Sequence, residues 1–129
     1  MRYYDELFRI EDREGFTVIV DKTWEEISLR DCFDDSCYDI RDMEIKVNSG
    51  DLDWFMLRVR ASIDGHELGS AHLGGCLYED AREVLSDGTA EDLIEQAIME
   101  AKDQVYPLLR RLLAINERLE NPEIAYYGA

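Results

Sequence analysis

Residues 54–63 have the sequence WFMLRVRASI, in which every second position is apolar: Phe55, Leu57, Val59, Ala61 and Ile63. Alternation with a period of two is typical of a strand that buries one face of a sheet. Asp64-Gly65 follows directly and is a strong signal for a two-residue turn between antiparallel strands. Residues 67–78 can return as the partner strand, in which three glycines indicate a bulge or a close approach of another backbone: Gly69, Gly74 and Gly75.

A second hairpin is predicted near the amino terminus. Residues 7–10 and 16–20 are short apolar runs, and the polar stretch between them ends at Gly15, which can adopt a positive φ. Thr23 and Glu26 then have the spacing of a capping box, which predicts a short helix or turn after residue 23. The acid-rich segment 31–53 is predicted to be a short helix and a loop.

A long amphipathic helix is predicted for the last third of the chain. Thr89 is the expected N-cap, and acids occupy the first turn, where the helix dipole favours them. Pro107 is predicted to kink this helix near Asp103 or to divide it in two, because proline removes a backbone donor and clashes with the preceding turn. The apolar residues recur at steps of three and four, which gives the helix one apolar face: Leu93, Ile94, Ala97, Ile98, Ala101, Val105, Leu108, Leu112, Ile115 and Leu119.

These elements together predict an α+β fold. The expected architecture is an antiparallel sheet of about four strands, formed by two hairpins, with the long carboxy-terminal helix packed on one face. The length of 129 residues fits a single domain over residues 1–129.

The chain is strongly acidic. It has 14 Lys and Arg against 30 Asp and Glu, a formal net charge of −16. DNA, RNA and anionic membranes repel such a chain, so we expect no direct nucleic-acid partner and no membrane partner. Hydrophobic residues make up 46% of the sequence, which is enough for a folded core despite the charge.

Cysteine and histidine supply the first candidates for chemistry. The amino terminus has no apolar signal segment, so we expect a cytoplasmic protein with reduced thiols. The spacing of these residues does not match the short ligand pairs of structural zinc sites, and His72 and Cys76 lie about 13 Å apart on an ideal strand, too far for direct proton transfer. We therefore expect no metal, no cofactor and no catalytic activity from the five residues: Cys32, Cys37, His66, His72 and Cys76.

The acids themselves are the remaining candidate. Residues 21–53 contain eleven acids and four bases, a local net charge of −7. Within this segment four Asp recur at steps of four, four and three, so a helix here would align them as one anionic stripe, comparable with a row of DNA phosphates. A merely solvated face is the alternative interpretation. The predicted partner-binding residues are Asp31, Asp34, Asp35, Tyr38, Asp39, Asp42 and Glu44, with Glu91 and Glu95 as further acids and Trp24 and Phe33 as further apolar anchors.

The second half of the chain resembles small acidic proteins of phages and prophages. The resemblance rests on WFMLRVRA at 54–61, the turn at 64–65, LGGCLY at 73–78 and the helical DLIEQA at 92–97. Such proteins include anti-CRISPR and anti-restriction inhibitors, some of which resemble DNA in charge. The resemblance implies an anti-defence function, and it brings no catalytic motif and no site residue.

The expected function is accordingly that of a non-enzymatic inhibitor. It would bind the basic nucleic-acid-binding surface of a host defence complex through the acids of residues 31–44. The alternative is an immunity-type or adaptor protein that binds one basic protein partner without imitating DNA. A small enzyme or metal protein built on His66, His72 and Cys76 is the least favoured hypothesis.

Overall fold

A four-stranded antiparallel sheet forms the centre of the structure, a computed structural model that describes residues 3–120. The strands are β1 (Asp5–Arg13), β2 (Phe16–Trp24), β3 (Asp53–Ile63) and β4 (His66–Tyr78), and they lie side by side in chain order. Both predicted hairpins and the predicted α+β fold are therefore confirmed. One face of the sheet is covered by the long helix α3 (Thr89–Glu120).

Two-residue turns close both hairpins. In the first hairpin Glu14 and Gly15 have φ values of 56° and 92°, and in the second Asp64 and Gly65 have values of 48° and 82°. Two successive positive φ angles are the property of the type I′ turn, whose twist matches that of the strands it joins. The turns thus set the pairing where each hairpin closes, and the register shifts further along both hairpins.

The glycines of β4 have the two roles that the sequence indicates. Phe55 pairs with Cys76 and Leu57 with Leu73, so β4 has one extra residue at this point and forms a bulge that contains Gly75, with φ 70°. At the other end of β4, a methyl group on Gly69 would lie 2.0 Å from the backbone oxygen of Ala97. Helix α3 is therefore in backbone contact with the sheet at Gly69.

The core lies between the sheet and the first half of α3. Alternate residues of β2 and β3 contribute the sheet side of the core, and the apolar stripe of α3 contributes the other side, with a short 3₁₀ turn at Ala81–Leu85 closing one edge. The fully buried side chains remove the largest apolar area from water: Phe55, Leu57, Val18, Val20, Val59 and Val84.

The connection between β2 and β3 differs from its prediction. Strand β2 continues to Trp24, and Thr23 is buried and paired with Met56 of β3, so the predicted helix start at residue 23 is wrong. Pairing with β3 outweighs the local capping signal. The connection instead forms two helices later in the segment, α1 (Leu29–Cys32) and α2 (Ile40–Ser49), in agreement with the predicted mixture of short helix and loop.

Helix α3 also departs from its prediction at two points. It is one helix through Pro107, so the division in two does not occur, and the alternative effect, a kink near Asp103, stays a prediction. Its first residue is Thr89, and the Gly88 carbonyl accepts the first helical hydrogen bond, from the Asp92 N–H at 3.1 Å, so Gly88 and not Thr89 is the N-cap. Asp87 accepts from the Thr89 backbone N–H at 2.9 Å. No helix among residues 3–120 has the length and apolarity to cross a bilayer.

The second face of the sheet carries a charged cluster. Asp21 is 2% exposed and accepts hydrogen bonds from Arg58 at 2.8 and 2.7 Å and from Arg60 at 3.1 Å. The Arg58 guanidinium in turn lies over the ring of Tyr4, 3.4 Å from its centroid. A buried carboxylate is thus compensated by cations from the neighbouring strand.

Candidate functional site

Two acid-rich connections meet at one end of the sheet. The pairing of Trp24 with Phe55 and of Asp53 with Tyr78 places the last residue of β2, the first residue of β3 and the last residue of β4 at the same end of the sheet. Residues 25–52 and 79–88, which connect the strands at this end, therefore lie together, and we call them the acidic end. The two hairpin turns are at the opposite end of the sheet.

The acidic end concentrates the charge of the molecule. Its two segments contain thirteen acids and four bases, a formal net charge of −9 in 38 residues. The other 91 residues carry the remaining −7. The density of negative charge is therefore about three times higher at the acidic end than elsewhere, as a surface that attracts a basic partner requires.

The predicted anionic stripe does not form. Helix α1 ends at Cys32, residues 33–39 form turns, and α2 begins at Ile40, so Asp31, Asp35 and Asp39 are not on one helix. Like charges at successive turns would destabilise such a helix, and the chain turns away between them. The predicted residues remain in one segment, but no helical period spaces them.

Local hydrogen bonds hold several of these acids in place. Asp39 is the N-cap of α2 and accepts from the Asp42 backbone N–H at 3.1 Å. Asp34 accepts from the Ser36 backbone N–H at 2.9 Å, and this bond lowers the pKa of Asp34 below its ordinary value. Asp31 accepts from the Ser28 hydroxyl at 3.1 Å. Local hydrogen bonds thus fix the orientation of these three carboxylates.

Two bases partly balance the segment. Arg30 lies 2.9 Å from Glu44 and 3.7 Å from Asp35, and Lys46 lies 3.0 Å from Asp42. All of these side chains are at least 41% exposed, so the pairs contribute little to stability and leave the carboxylates accessible.

Tyr38 is the exposed member of an aromatic stack within the acidic end. It is 52% exposed and lies edge-on to Phe33, with ring centroids 5.0 Å apart. Phe33 is 5.9 Å from Trp54, whose indole N–H donates to the Ile27 carbonyl at 2.9 Å. The stack ties the loop to β3 and presents Tyr38 at an open pocket of about 500 Å³, lined by Arg30, Asp35, Asp39 and Arg41 among others. Trp24, the other predicted anchor, is 53% exposed where β2 ends.

The second connection contributes acids that sequence reasoning missed. An open cleft of about 580 Å³ separates it from the first, and the cleft is lined by Val47, Leu52, Glu79, Asp80 and Arg82 among others. The signal for this proximity was present in the sequence, because a hairpin centred on residues 64–65 returns residue 79 to the level of residue 52. The missed acids are Glu79, Asp80, Glu83 and Asp87.

Asp87 joins this connection to α3. It accepts from the Tyr78 hydroxyl at 2.6 Å and from the Thr89 backbone N–H at 2.9 Å. The bond from Tyr78 is the main reason why the pKa of Asp87 lies below its ordinary value, and the same bond raises the pKa of Tyr78. Asp87 is therefore ionised at neutral pH and fixes the start of α3.

The two further acids predicted on α3 lie in its first two turns. Glu91 forms a two-pronged ion pair with Arg13 at the first hairpin, with Nη1 to Oε2 at 2.9 Å, and Arg13 lowers the pKa of Glu91. Glu95 is exposed one turn further along the helix. Glu91 is thus paired with a base of the first hairpin, and Glu95 is exposed to solvent.

The thiol and histidine candidates are not brought together. Cys76 is buried, its thiol donates to the Leu73 carbonyl at 3.5 Å, and burial raises the pKa of Cys76 to about 11. His72, Cys32 and Cys37 are exposed. Among residues 3–120, no group of three or more His, Cys, Asp and Glu side chains has a geometry that would hold a metal ion.

Comparison of the chain with protein-family models, with curated proteins and with solved structures found no match.

Proposed function

We propose that the protein is a non-enzymatic inhibitor whose acidic end occupies a basic nucleic-acid-binding surface of a host defence complex. The observation that carries the proposal is the convergence of two connections, with a net charge of −9, at one end of the sheet. The partner would be a complex that anti-CRISPR or anti-restriction proteins inhibit, in keeping with the phage proteins that the second half of the chain resembles.

The acids would act mainly on the rate of association. A basic channel that binds DNA attracts any surface of high negative charge density, and the attraction extends over a Debye length of about 8 Å at physiological salt. Fixed carboxylates are suited to this role because local contacts already order them, as Asp34 and Asp39 show. The surface imitates DNA in charge, while its spacing is that of turns and not of a regular row.

Tyr38 would supply affinity that charge alone does not. Exposed aromatic side chains held by a rigid support are typical of the residues that dominate binding energy in protein interfaces. Tyr38 meets that description because Phe33 and Trp54 support it from behind. We therefore assign partner binding to Tyr38 together with the acids around it.

The test compares two variants of equal net charge. In the first, Asp31, Asp34, Asp35 and Asp39 are changed to Asn, which keeps side-chain size and can still accept the capping bonds of Asp34 and Asp39. In the second, four exposed acids outside the acidic end, all in the first hairpin, are changed to the corresponding amides: Glu6, Glu11, Asp12 and Glu14. Each variant carries a formal charge of −12.

The wild type and both variants are immobilised and used to capture partners from lysate of the native host, and duplex DNA is then added in increasing amounts. We expect the wild type and the second variant to retain a nucleic-acid-binding protein that DNA displaces, and the first variant to retain at least tenfold less. Equal capture by all three would show that the segment is only a solvated face. Capture that depends on the four Asp but resists DNA would favour the immunity-type alternative.

A further inference from the structure

The apolar stripe of α3 continues beyond the sheet that covers its first half. Ile94, Ile98 and Ala101 are buried against the sheet. The stripe then runs on at steps of three and four through the second half of α3, residues 105–120, which we call the distal helix. The residues of the stripe that follow Val105 are 46 to 75% exposed: Leu108, Leu112, Ile115 and Leu119.

A groove of apolar character lies where the distal helix passes the second hairpin. It has a volume of about 250 Å³ and lies between the end of the β3–β4 hairpin and the helix. Ile63 and Leu68 line one wall, Val105, Leu109 and Leu112 line the other, and Asp64 and His66 lie at its edge. The hairpin turn and the distal helix thus form one continuous apolar surface at the end of the molecule opposite the acidic end.

The exposed apolar area lies at the upper end of what monomers present. Tyr106, Leu109 and Leu113 flank the stripe and are 59, 46 and 58% exposed. With the stripe itself these side chains present on the order of 600 Å² of apolar surface, at the upper limit for monomers and near the ~800 Å² per partner of a stable interface. Burial of a Leu-rich face this wide is strongly favourable in water.

Charge selects the occupant of this surface. The distal helix contains Arg110, Arg111 and Arg118 against Glu117 and Glu120, a net charge of +1 in a molecule of −16. Asp64 lies at the edge of the groove beside it. A basic partner would meet the cations of the distal helix, whereas a second copy brings its own distal helix, with a net charge of +1, beside Asp64 at the edge of the groove.

We propose that two copies of this chain associate through their distal helices, packed antiparallel about a twofold axis. In this arrangement Leu119 of one copy lies beside Val105 and the groove of the other, and the same contact is made twice. Steps of three and four are the spacing at which apolar side chains of two helices interlock. The acidic ends then lie far apart, which keeps their mutual repulsion low.

The proposal is tested by the mass of the full chain in solution. We expect sedimentation velocity and light scattering to give twice the monomer mass of 15.0 kDa at micromolar concentrations, because the interface is at the small end of stable ones. Changing Leu112 and Leu119 together to Glu should leave the circular dichroism spectrum unchanged, since both residues are exposed, and should restore the monomer mass. The dissociation constant of the dimer should rise at least tenfold.

A matched control adds the same two charges elsewhere. Ile45 and Met99 are 58 and 67% exposed, and Met99 lies on α3 but outside the apolar stripe. Changing both to Glu should leave the dimer intact. A monomer mass for the wild type at all concentrations up to about 200 µM, where even a weak complex with a Kd of ~20 µM would form, would overturn the proposal. A dimer that survives the changes at Leu112 and Leu119, or that the control variant also disrupts, would overturn it too.

Discussion

At the scale of single residues, the charged cluster on the second face of the sheet is where we expect one side chain, that of Asp21, to contribute most to stability. Asp21 is almost completely removed from water, and both of its oxygens are bonded to guanidinium groups of β3. A buried carboxylate is tolerated only with such partners, and the partners in turn depend on it. The cluster thus links β2 to β3 by side chains in addition to the backbone ladder.

Replacement of Asp21 by Asn should therefore destabilise the protein. We expect a loss of about 2 to 3 kcal/mol in the free energy of unfolding, less than the ~3–5 kcal/mol of a fully buried pair because the Arg58 and Arg60 side chains are 19 and 32% exposed. Urea denaturation measures it. Glu6→Gln is the control, since Glu6 pairs with Arg9 at the surface and should cost at most about 1 kcal/mol. Equal effects of the two changes would show that burial of Asp21 adds nothing.

At the scale of elements, contact between α3 and β4 depends on the absence of a side chain. Gly69 faces the turn of α3 that contains Ala97 and Ala101, all three of them buried. Small residues on both sides allow the two backbones to approach, and this approach sets the distance between helix and sheet for the whole core.

Gly69→Ala should separate helix and sheet. The new methyl group would meet backbone atoms at 2.0 and 2.7 Å, which cannot move without a shift of the helix, so we expect a cost of at least 3 kcal/mol. Gly74→Ala is the control on the same strand, because its methyl group would meet only the flexible end of the Glu25 side chain at 2.8 Å. Thermal unfolding followed by circular dichroism compares them. A Gly69→Ala variant that melts within 2 °C of the Gly74→Ala variant would contradict the close approach.

The elements also show which parts of the fold a sequence makes predictable. The second hairpin follows from a two-residue turn and strict alternation, and the first from two short apolar runs on either side of a polar stretch that ends at Gly15; these are local signals that the rest of the structure reinforces. Thr23 fails as a helix start because its pairing with Met56 is a contact across 33 residues that no local spacing reveals. Pro107 fails as a break for a different reason: the loss of one backbone bond costs less than the continuous helix gains on both sides of it.

At the scale of the whole molecule, net charge opposes folding. With a charge of −16, the compact state holds its acids closer together than the unfolded chain does. Surface pairs such as Lys46 with Asp42 relieve only part of this repulsion.

Added salt should therefore stabilise the protein. Between about 0.01 and 0.15 M ionic strength the Debye length falls from about 30 to 8 Å, so we expect the melting temperature to rise by several degrees. The variant with Asn at positions 31, 34, 35 and 39 has lost four charges from the densest region, and its melting temperature should rise less over the same range. A melting temperature that falls with salt would mean that attractive ion pairs outweigh the repulsion.

The candidate site was predictable in composition but not in shape. The acids of residues 31–44 are evident from the sequence, whereas their arrangement depends on where α1 ends and α2 begins, which Asp39 decides by capping α2. The contribution of residues 79–88 could be predicted only from the length of the second hairpin. The number of charges follows from the sequence, but their proximity depends on strands that return both connections to the same end of the sheet.

The uneven distribution of charge, −9 at the acidic end and −7 over the other 91 residues, gives the protein a negative pole at one end of the sheet. In the field of a basic surface, a dipole experiences a torque that turns its negative pole forward before contact. The protein would thus approach the partner with its acidic end forward and its distal helix facing solvent. Two copies joined through their distal helices would form a bivalent ligand. Binding of one acidic end would then hold the other at millimolar effective concentration near a neighbouring site within its reach.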